Sequence, residues 1–151
     1  MILQRRTFFL MGSAGLLLAG CMGETPPTVL SVSAQGRAGM NPGPDGSDRP
    51  VTLTVLQISG TGAFDAADYF ALQNPSAALG GELIKADQLV LAPGGTASRA
   101  IAVQPGTTAI GVTAGFRDPA GRTVRRRIAV PPPSTGLIIS VGPDGISVNT
   151  A

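Results

Sequence analysis

The sequence predicts an all-β domain, a two-sheet sandwich or a barrel, interrupted by one small helical insertion. Three observations lead there. Apolar and polar residues alternate over several short runs. Turn residues punctuate those runs at close intervals. Charge is scarce, 13% of 151 residues, whereas Gly and Pro number 21 and 13, a balance that disfavours a helical bundle.

The first β run is Val29-Leu30-Ser31-Val32-Ser33-Ala34. A turn-rich segment, Asn41 to Pro50, leads to Val51–Ile58, which is β-branched and alternates at Val51, Leu53 and Val55. Phe64 to Leu72 then breaks the period-two pattern and is expected to be helical, with Asp65 capping its first turn and Asp68 near its positive end. Ala77 to Lys85 adds a second short turn before a strand over Asp87 to Leu91. Ile101 and Val103 mark another strand. Ile110, Val112, Ala114 and Phe116 alternate with Gly111, Thr113 and Gly115, the cleanest β signature in the chain. Val124 to Val130, Leu137 to Val141 and Ile146 to Asn149 complete the series. Gly94-Gly95, Pro105-Gly106, Pro119-Ala120-Gly121 and Pro143-Asp144-Gly145 supply the turns.

The N-terminus has a different character. Arg5 and Arg6 form a positive region, Thr7 to Gly20 is mostly apolar, and Leu18-Ala19-Gly20-Cys21 follows. This is a secretory signal layout, and its apolar stretch is shorter than the roughly 20 residues of a membrane-spanning helix. The four residues up to Cys21 resemble the bacterial lipobox, in which the cysteine is lipidated and becomes the first residue after cleavage. Cys21 is also the chain's only cysteine. Gln4-Arg5-Arg6-Thr7-Phe8-Phe9-Leu10 resembles a twin-arginine export signal, which leaves twin-arginine and general export as alternatives. Met22, after the cysteine, suits outer-membrane sorting. The chain thus divides into a signal (1–20), a lipidated Cys21 with a short tether (21–28) and a β domain (29–151). Loss of Arg5 and Arg6 reduces eleven basic residues to nine, level with the nine acidic ones. Such a balance lacks the basic stripe of a nucleic-acid-binding protein.

Composition also restricts chemistry. There is no His and no Trp, and one Cys closes no internal disulfide. Triads built on His and His-ligated zinc are therefore excluded. Asp65 and Asp68 are explained by helix capping. Gly60-Thr61-Gly62 lacks the third glycine of a dinucleotide fingerprint, and Pro93-Gly94-Gly95 lacks the Lys-Ser or Lys-Thr of a phosphate loop. Asn41, Asp45 and Asp48 are not spaced as a calcium loop. Arg125-Arg126-Arg127 lies in a strand, so alternate arginines point to opposite faces and are expected to be solvated, or else to guard an edge or touch a partner. Pro131-Pro132-Pro133 is expected to be an extended connection across the sandwich. No catalytic residue, metal site or small-molecule cofactor is expected.

Taken in order, the lipobox, Val29-Leu30-Ser31-Val32, Asn41-Pro42, Arg49-Pro50-Val51, Thr54-Val55-Leu56-Gln57-Ile58, Phe64 to Leu72, Leu91-Ala92-Pro93-Gly94 and Ile110 to Arg117 resemble the TssJ (SciN, VasD) family of type VI secretion lipoproteins. The resemblance implies a transthyretin-like, two-sheet antiparallel β-sandwich with a small helical insertion. It further implies an outer-membrane-anchored lipoprotein facing the periplasm, with a covalent lipid on Cys21 and no small-molecule substrate. Its implied partner is the periplasmic domain of a TssM (IcmF-like) inner-membrane protein, which works with TssL. The implied contact is the loop Asn41, Pro42, Gly43, Pro44, Asp45, Gly46, Ser47, Asp48 and Arg49. That loop is polar and proline-stiffened, so it is expected to project from the sandwich, and shortening it from Pro42 to Asp48 is expected to touch no core residue. The competing class is a carbohydrate- or peptidoglycan-binding lipoprotein, which usually displays Trp and Tyr platforms; this chain has no Trp and one Tyr.

Overall fold

A computed structural model describes residues 28–151. The expected signal (1–20), Cys21 and most of the expected tether (21–28) lie outside them. Eight strands form two four-stranded sheets: β1 (Val29–Gly36), β2 (Val51–Ile58), β3 (Leu83–Leu91), β4 (Thr96–Ala102), β5 (Ala109–Gly115), β6 (Arg125–Ala129), β7 (Gly136–Gly142) and β8 (Gly145–Thr150). One sheet has the order β4-β1-β7-β8 and the other β3-β2-β5-β6. This is the expected sandwich. Every ladder is antiparallel except β1–β7, which runs parallel.

The pattern of each strand accounts for its place. In β1, Leu30, Val32 and Ala34 point inward, and Val29, Ser31, Ser33 and Gln35 point out. Inward residues of β2, β5 and β7 meet them in one core: Leu53, Val55, Ile110, Val112, Leu137 and Ile139 are each fully enclosed. β2 and β5 are buried on their outer faces too, because a helical layer covers them. There Leu56 and Ile58 pack with Phe64, Leu72, Leu79 and Ala109 in a second cluster.

That layer departs from the expected single helix over Phe64–Leu72. It consists of α1 (Gly62–Ala66), a 3-10 turn (Ala71–Gln73), α2 (Pro75–Leu79) and a 3-10 turn (Gly80–Glu82). The chain leaves α1 at Ala67, which is extended (ψ 140°). The cause lies far away in sequence: Arg125 donates to the carbonyls of Phe64, Asp65 and Ala67, oxygens that a continuing helix would have used. Asp65 does not cap α1. Thr61 occupies the cap position without a side-chain bond, and Glu82 Oε2 instead accepts from Ala63 N–H at 3.1 Å. Asp68 caps the 3-10 turn through Ala71 N–H at 2.7 Å. α2 starts on Pro75, whose missing N–H has no partner to lose at that position.

Two strand expectations also change. β3 begins at Leu83 rather than Asp87, because α2 stops before Gly80, the 3-10 turn ends at Glu82, and Leu83 to Ala86 pair with Ile58 to Leu56. β4 spans Thr96–Ala102, and Val103 lies just beyond it, donating to Thr28 O at 2.8 Å. β4 is an edge strand with most side chains exposed, so it carries almost no apolar period. Its inward Arg99 reaches Asp87 of β3 at 3.1 Å and bridges the two sheets along one side. Arg125-Arg126-Arg127 forms most of β6, which is likewise an edge strand. The Pro131–Pro133 stretch crosses from β6 in one sheet to β7 in the other, as expected, but it is not extended throughout: it ends in a turn closed by Thr135 N–H to Pro132 O at 3.2 Å.

Gly111 has a steric role. A Cβ there would stand 2.8 Å from Phe64 Cε2, so the missing side chain is the seat of the Phe64 ring. Gly111→Val is expected to lower stability by about 1–3 kcal/mol through overpacking, measured by denaturant unfolding. An unchanged midpoint would mean that the ring is not seated on β5.

Candidate partner-binding surface

The β1–β2 connection is a small scaffolded hairpin. Its root is Met40, which is fully buried and packs over Gly36. Asp48 brackets that root: its carboxylate accepts from Gly39 N–H at 2.9 Å and from Asn41 N–H at 3.1 Å. Asn41, only 5% exposed, works in two directions. Its Nδ2 donates to Pro50 O at 3.1 Å, and its Oδ1 accepts from Arg117 N–H at 2.9 Å, which ties the loop to the end of β5. Arg49 N–H donates to Asn41 O at 2.7 Å, and Pro42 faces Asp48 in an isolated antiparallel bridge.

Above this root the loop turns through Gly43 N–H to Ser47 O (2.8 Å) and Gly46 N–H to Gly43 O (3.0 Å). Gly46 has φ 80°, a conformation that favours glycine. The Arg49 guanidinium lies against Gly43, where a Cβ would meet Nε at 2.6 Å, and pairs with Asp45 at 3.3 Å. Ser47 N–H and then Arg49 hold the Asp45 carboxyl below its ordinary range. Pro44, Asp45, Gly46, Ser47 and Arg49 are exposed, Pro42 and Asp48 are half-buried, and Gly43 and Asn41 are buried.

The nine predicted residues therefore divide. Pro44 to Ser47, with Arg49, form a projecting polar tip. Asn41 and Asp48 form its base, and Asp48 is a bracket of the loop because backbone N–H groups occupy its carboxylate. No residue of Pro42–Asp48 belongs to the hydrophobic core, as expected, but deleting the whole segment would also remove Asp48, the bracket of the loop root beside Met40.

Two organising residues escaped the sequence reading. Arg122 Nη1 donates to Gly39 O, Met40 O and Gly142 O at 3.0–3.3 Å, and its guanidinium stacks over Phe116 at 5.4 Å. It thus joins three loops at this end of the sandwich. Tyr69 Oη donates to Phe116 O at 2.8 Å and accepts from Phe116 N–H at 2.9 Å, fastening the helical layer to the same place. Nothing near Arg122 in sequence signals this role; Tyr69 could have been suspected as the chain's only tyrosine.

The arginine run divides by alternation on an edge strand: Arg126 and Arg127 are exposed, as expected, but Arg125 and Arg127 also engage α1. Arg125 and Arg127 share the outer face of β6 and hold α1 down. Arg127 makes a bidentate pair with Asp65 at 2.8 and 2.9 Å, and Arg125 lies over the Phe64 ring at 6.0 Å while donating to the α1 carbonyls. Arg126 is exposed on the other face. Hydrogen bonds from Arg127 lower the Asp65 pKa. A carboxyl lowered on folding stabilises the native state above its unfolded-state pKa, and that contribution is lost as pH falls through the lower folded value. Thermal unfolding of the parent and of Arg127→Gln is therefore expected to differ at neutral pH and to converge in the acid range. A gap independent of pH would exclude the ion pair as its cause.

The model of the family described as type VI secretion lipoprotein (VasD, EvfM, TssJ) matches residues 28–144, which is nearly the whole β domain. The chain belongs to this family. The crystal structure of the type VI lipoprotein TssJ1 from Pseudomonas aeruginosa is similar at 29% identity and TM-score 0.74, covering 83% of this chain and 98% of that one. Serratia marcescens Lip, a membrane-bound component of the type VI secretion system, shares the fold at 24% identity and TM-score 0.74, with 82% and 96% covered. A chain of a type VI membrane complex matches at 25% identity and TM-score 0.72, with 82% and 98% covered. A sequence search of curated proteins finds no match. The family is one of secretion-system lipoproteins, not of enzymes.

Proposed function

We propose that this type VI secretion lipoprotein is anchored by a lipid on Cys21 to the inner leaflet of the outer membrane. There it captures the periplasmic domain of the TssM-like inner-membrane protein, in a complex that also contains TssL. The observation that carries the reading is the pre-built tip Pro44–Ser47, fixed by Asn41 and Asp48 and presented at the end of the sandwich away from the tether. A loop already held in one shape loses little entropy on binding. Its Asp45–Arg49 pair sits in solvent, where charges govern encounter and specificity more than raw affinity. Membership of the lipoprotein family and the similarity to a chain of a type VI membrane complex support the assignment.

Replacing Pro44–Ser47 by a Gly-Ser turn, with Asn41 and Asp48 kept, is the test. The unfolding midpoint is expected to stay nearly constant, and calorimetric affinity for the TssM periplasmic fragment to fall at least about tenfold, or about 1.4 kcal/mol. A folded tip variant that binds as tightly as the parent would show that the contact is elsewhere.

A further inference from the structure

Loops at the two ends of the sandwich differ in charge. At the far end, the connections 37–50, 116–124 and 142–145 carry Arg37, Asp45, Asp48, Arg49, Arg117, Asp118, Arg122 and Asp144. At the end where the tether enters, Val103 N–H meets Thr28 O, and β7 begins beside Ser31 of β1. Two of the three connections there, 103–108 and 130–135, read Val-Gln-Pro-Gly-Thr-Thr and Val-Pro-Pro-Pro-Ser-Thr, with no charged side chain; the third, 59–82, is the helical layer and carries Asp65, Asp68 and Glu82. Val29 is 49% exposed at the root of the tether, and Pro105, Pro132 and Pro133 are exposed beside it. Glu82, whose carbonyl meets Ser59 N–H at this end, directs its carboxylate to Ala63 N–H of α1.

These loops are also stiff. Gln57, fully buried, donates to Ala102 O at 3.0 Å and accepts from Gln104 N–H at 2.7 Å and Thr107 Oγ1 at 3.1 Å. The second connection closes through Thr135 N–H to Pro132 O at 3.2 Å, and Ser134 at its tip has φ 66°. Among the described residues it is the one non-glycine with positive φ, a conformation that a surrounding structure must enforce.

We propose that the two uncharged, proline-containing loops 103–108 and 130–135 form a seat that rests directly on the phospholipid leaflet holding the anchor. The inference rests on the reading of Cys21 as lipidated. Met22 to Thr28 is a leash of seven residues, so the tether extends at most about 25 Å. Confinement that short raises the local concentration of leaflet to the millimolar range or above, so a weak attraction is enough to hold the domain down. These two loops lose no ion hydration at a bilayer, and the Glu82 carboxylate beside them is turned to Ala63 N–H, whereas the eight charged side chains of the far end would lose theirs. Seated in this way, the tip Pro44–Ser47 stands about one strand length, roughly 26 Å, from the membrane. A domain standing off on an extended tether would place it about twice as far away.

The test uses the full-length lipidated protein in phosphatidylethanolamine–phosphatidylglycerol vesicles that contain a nitroxide-headgroup lipid. A fluorophore is attached through Pro105→Cys or Pro133→Cys at the seat, or Ser47→Cys at the far tip, with Cys21 already occupied by lipid. The seat labels are expected to be quenched at least about threefold more than the tip label, and to remain so when ten Gly-Ser residues lengthen the tether, because the seat and not the tether then sets the height. Equal quenching at both ends of a vesicle-bound lipidated protein, or seat quenching lost on lengthening, overturns the seat and leaves the anchor standing. A protein that carries no lipid and does not float with vesicles overturns the anchor reading and the seat with it. Shielding of the seat labels that rises with protein concentration identifies a second copy as the occupant and likewise overturns the lipid seat.

Discussion

Phe64→Ala is expected to destabilise the domain by about 3–5 kcal/mol and to lower its unfolding midpoint by roughly 10–20 °C. The ring is 1% exposed and is the largest fully buried side chain in the layer that covers the second sheet. It fills the space above Gly111 and packs with Leu56, Ile58, Leu72, Leu79 and Ala109. α1 is five residues long, far too short to persist alone, so its order derives from this ring and from the arginines of β6. Removing the ring leaves a cavity and withdraws the main reason for α1 to dock. The contrast is Phe70→Ala: that ring is 77% exposed, and its loss is expected to change stability by about 0.5 kcal/mol or less. Calorimetric unfolding of the two variants checks both. Equal small effects would mean that the helical layer is decoration rather than part of the folding unit.

Cys21→Ser is expected to abolish membrane attachment without unfolding the β domain. A serine hydroxyl does not replace the thiol to which we propose the lipid is joined, and no other cysteine can substitute. Acyl chains contribute about 0.8 kcal/mol per buried methylene, so losing them removes far more membrane affinity than the uncharged loops at the tether end can restore. The variant is expected to lose acyl labelling and to appear in the soluble periplasm or as unprocessed precursor. Unchanged outer-membrane fractionation would contradict the anchor.

The strands were legible where one face is buried and the other is wet. Ile110, Val112, Ala114 and Phe116 announce β5 because they point into the core while Gly111, Thr113 and Gly115 point away. Edge strand β4 was nearly silent, since Thr96, Ser98 and Ala100 face outward and Arg99 spans the gap to Asp87. The broken helix was illegible for a different reason: what stops α1 is Arg125, about sixty positions later, and no local propensity encodes it. The candidate surface was legible as a polar, proline-stiffened loop. Its internal division was not, because whether an aspartate projects or brackets depends on which backbone N–H groups the fold brings to it. Asp45 and Asp48 are indistinguishable in composition, yet one lies on the tip and the other holds the root.

The central claim is that this lipoprotein links the outer membrane to the TssM-like partner. The most direct measurement is co-sedimentation of a purified TssM periplasmic fragment with outer-membrane fractions from cells that make the parent chain, Cys21→Ser or the Gly-Ser tip variant. The account predicts that the fragment sediments with membranes bearing the parent and stays in the supernatant with those from either variant. Fragment retained by tip-variant membranes as strongly as by parent membranes, or retained by membranes that lack the chain, would contradict it.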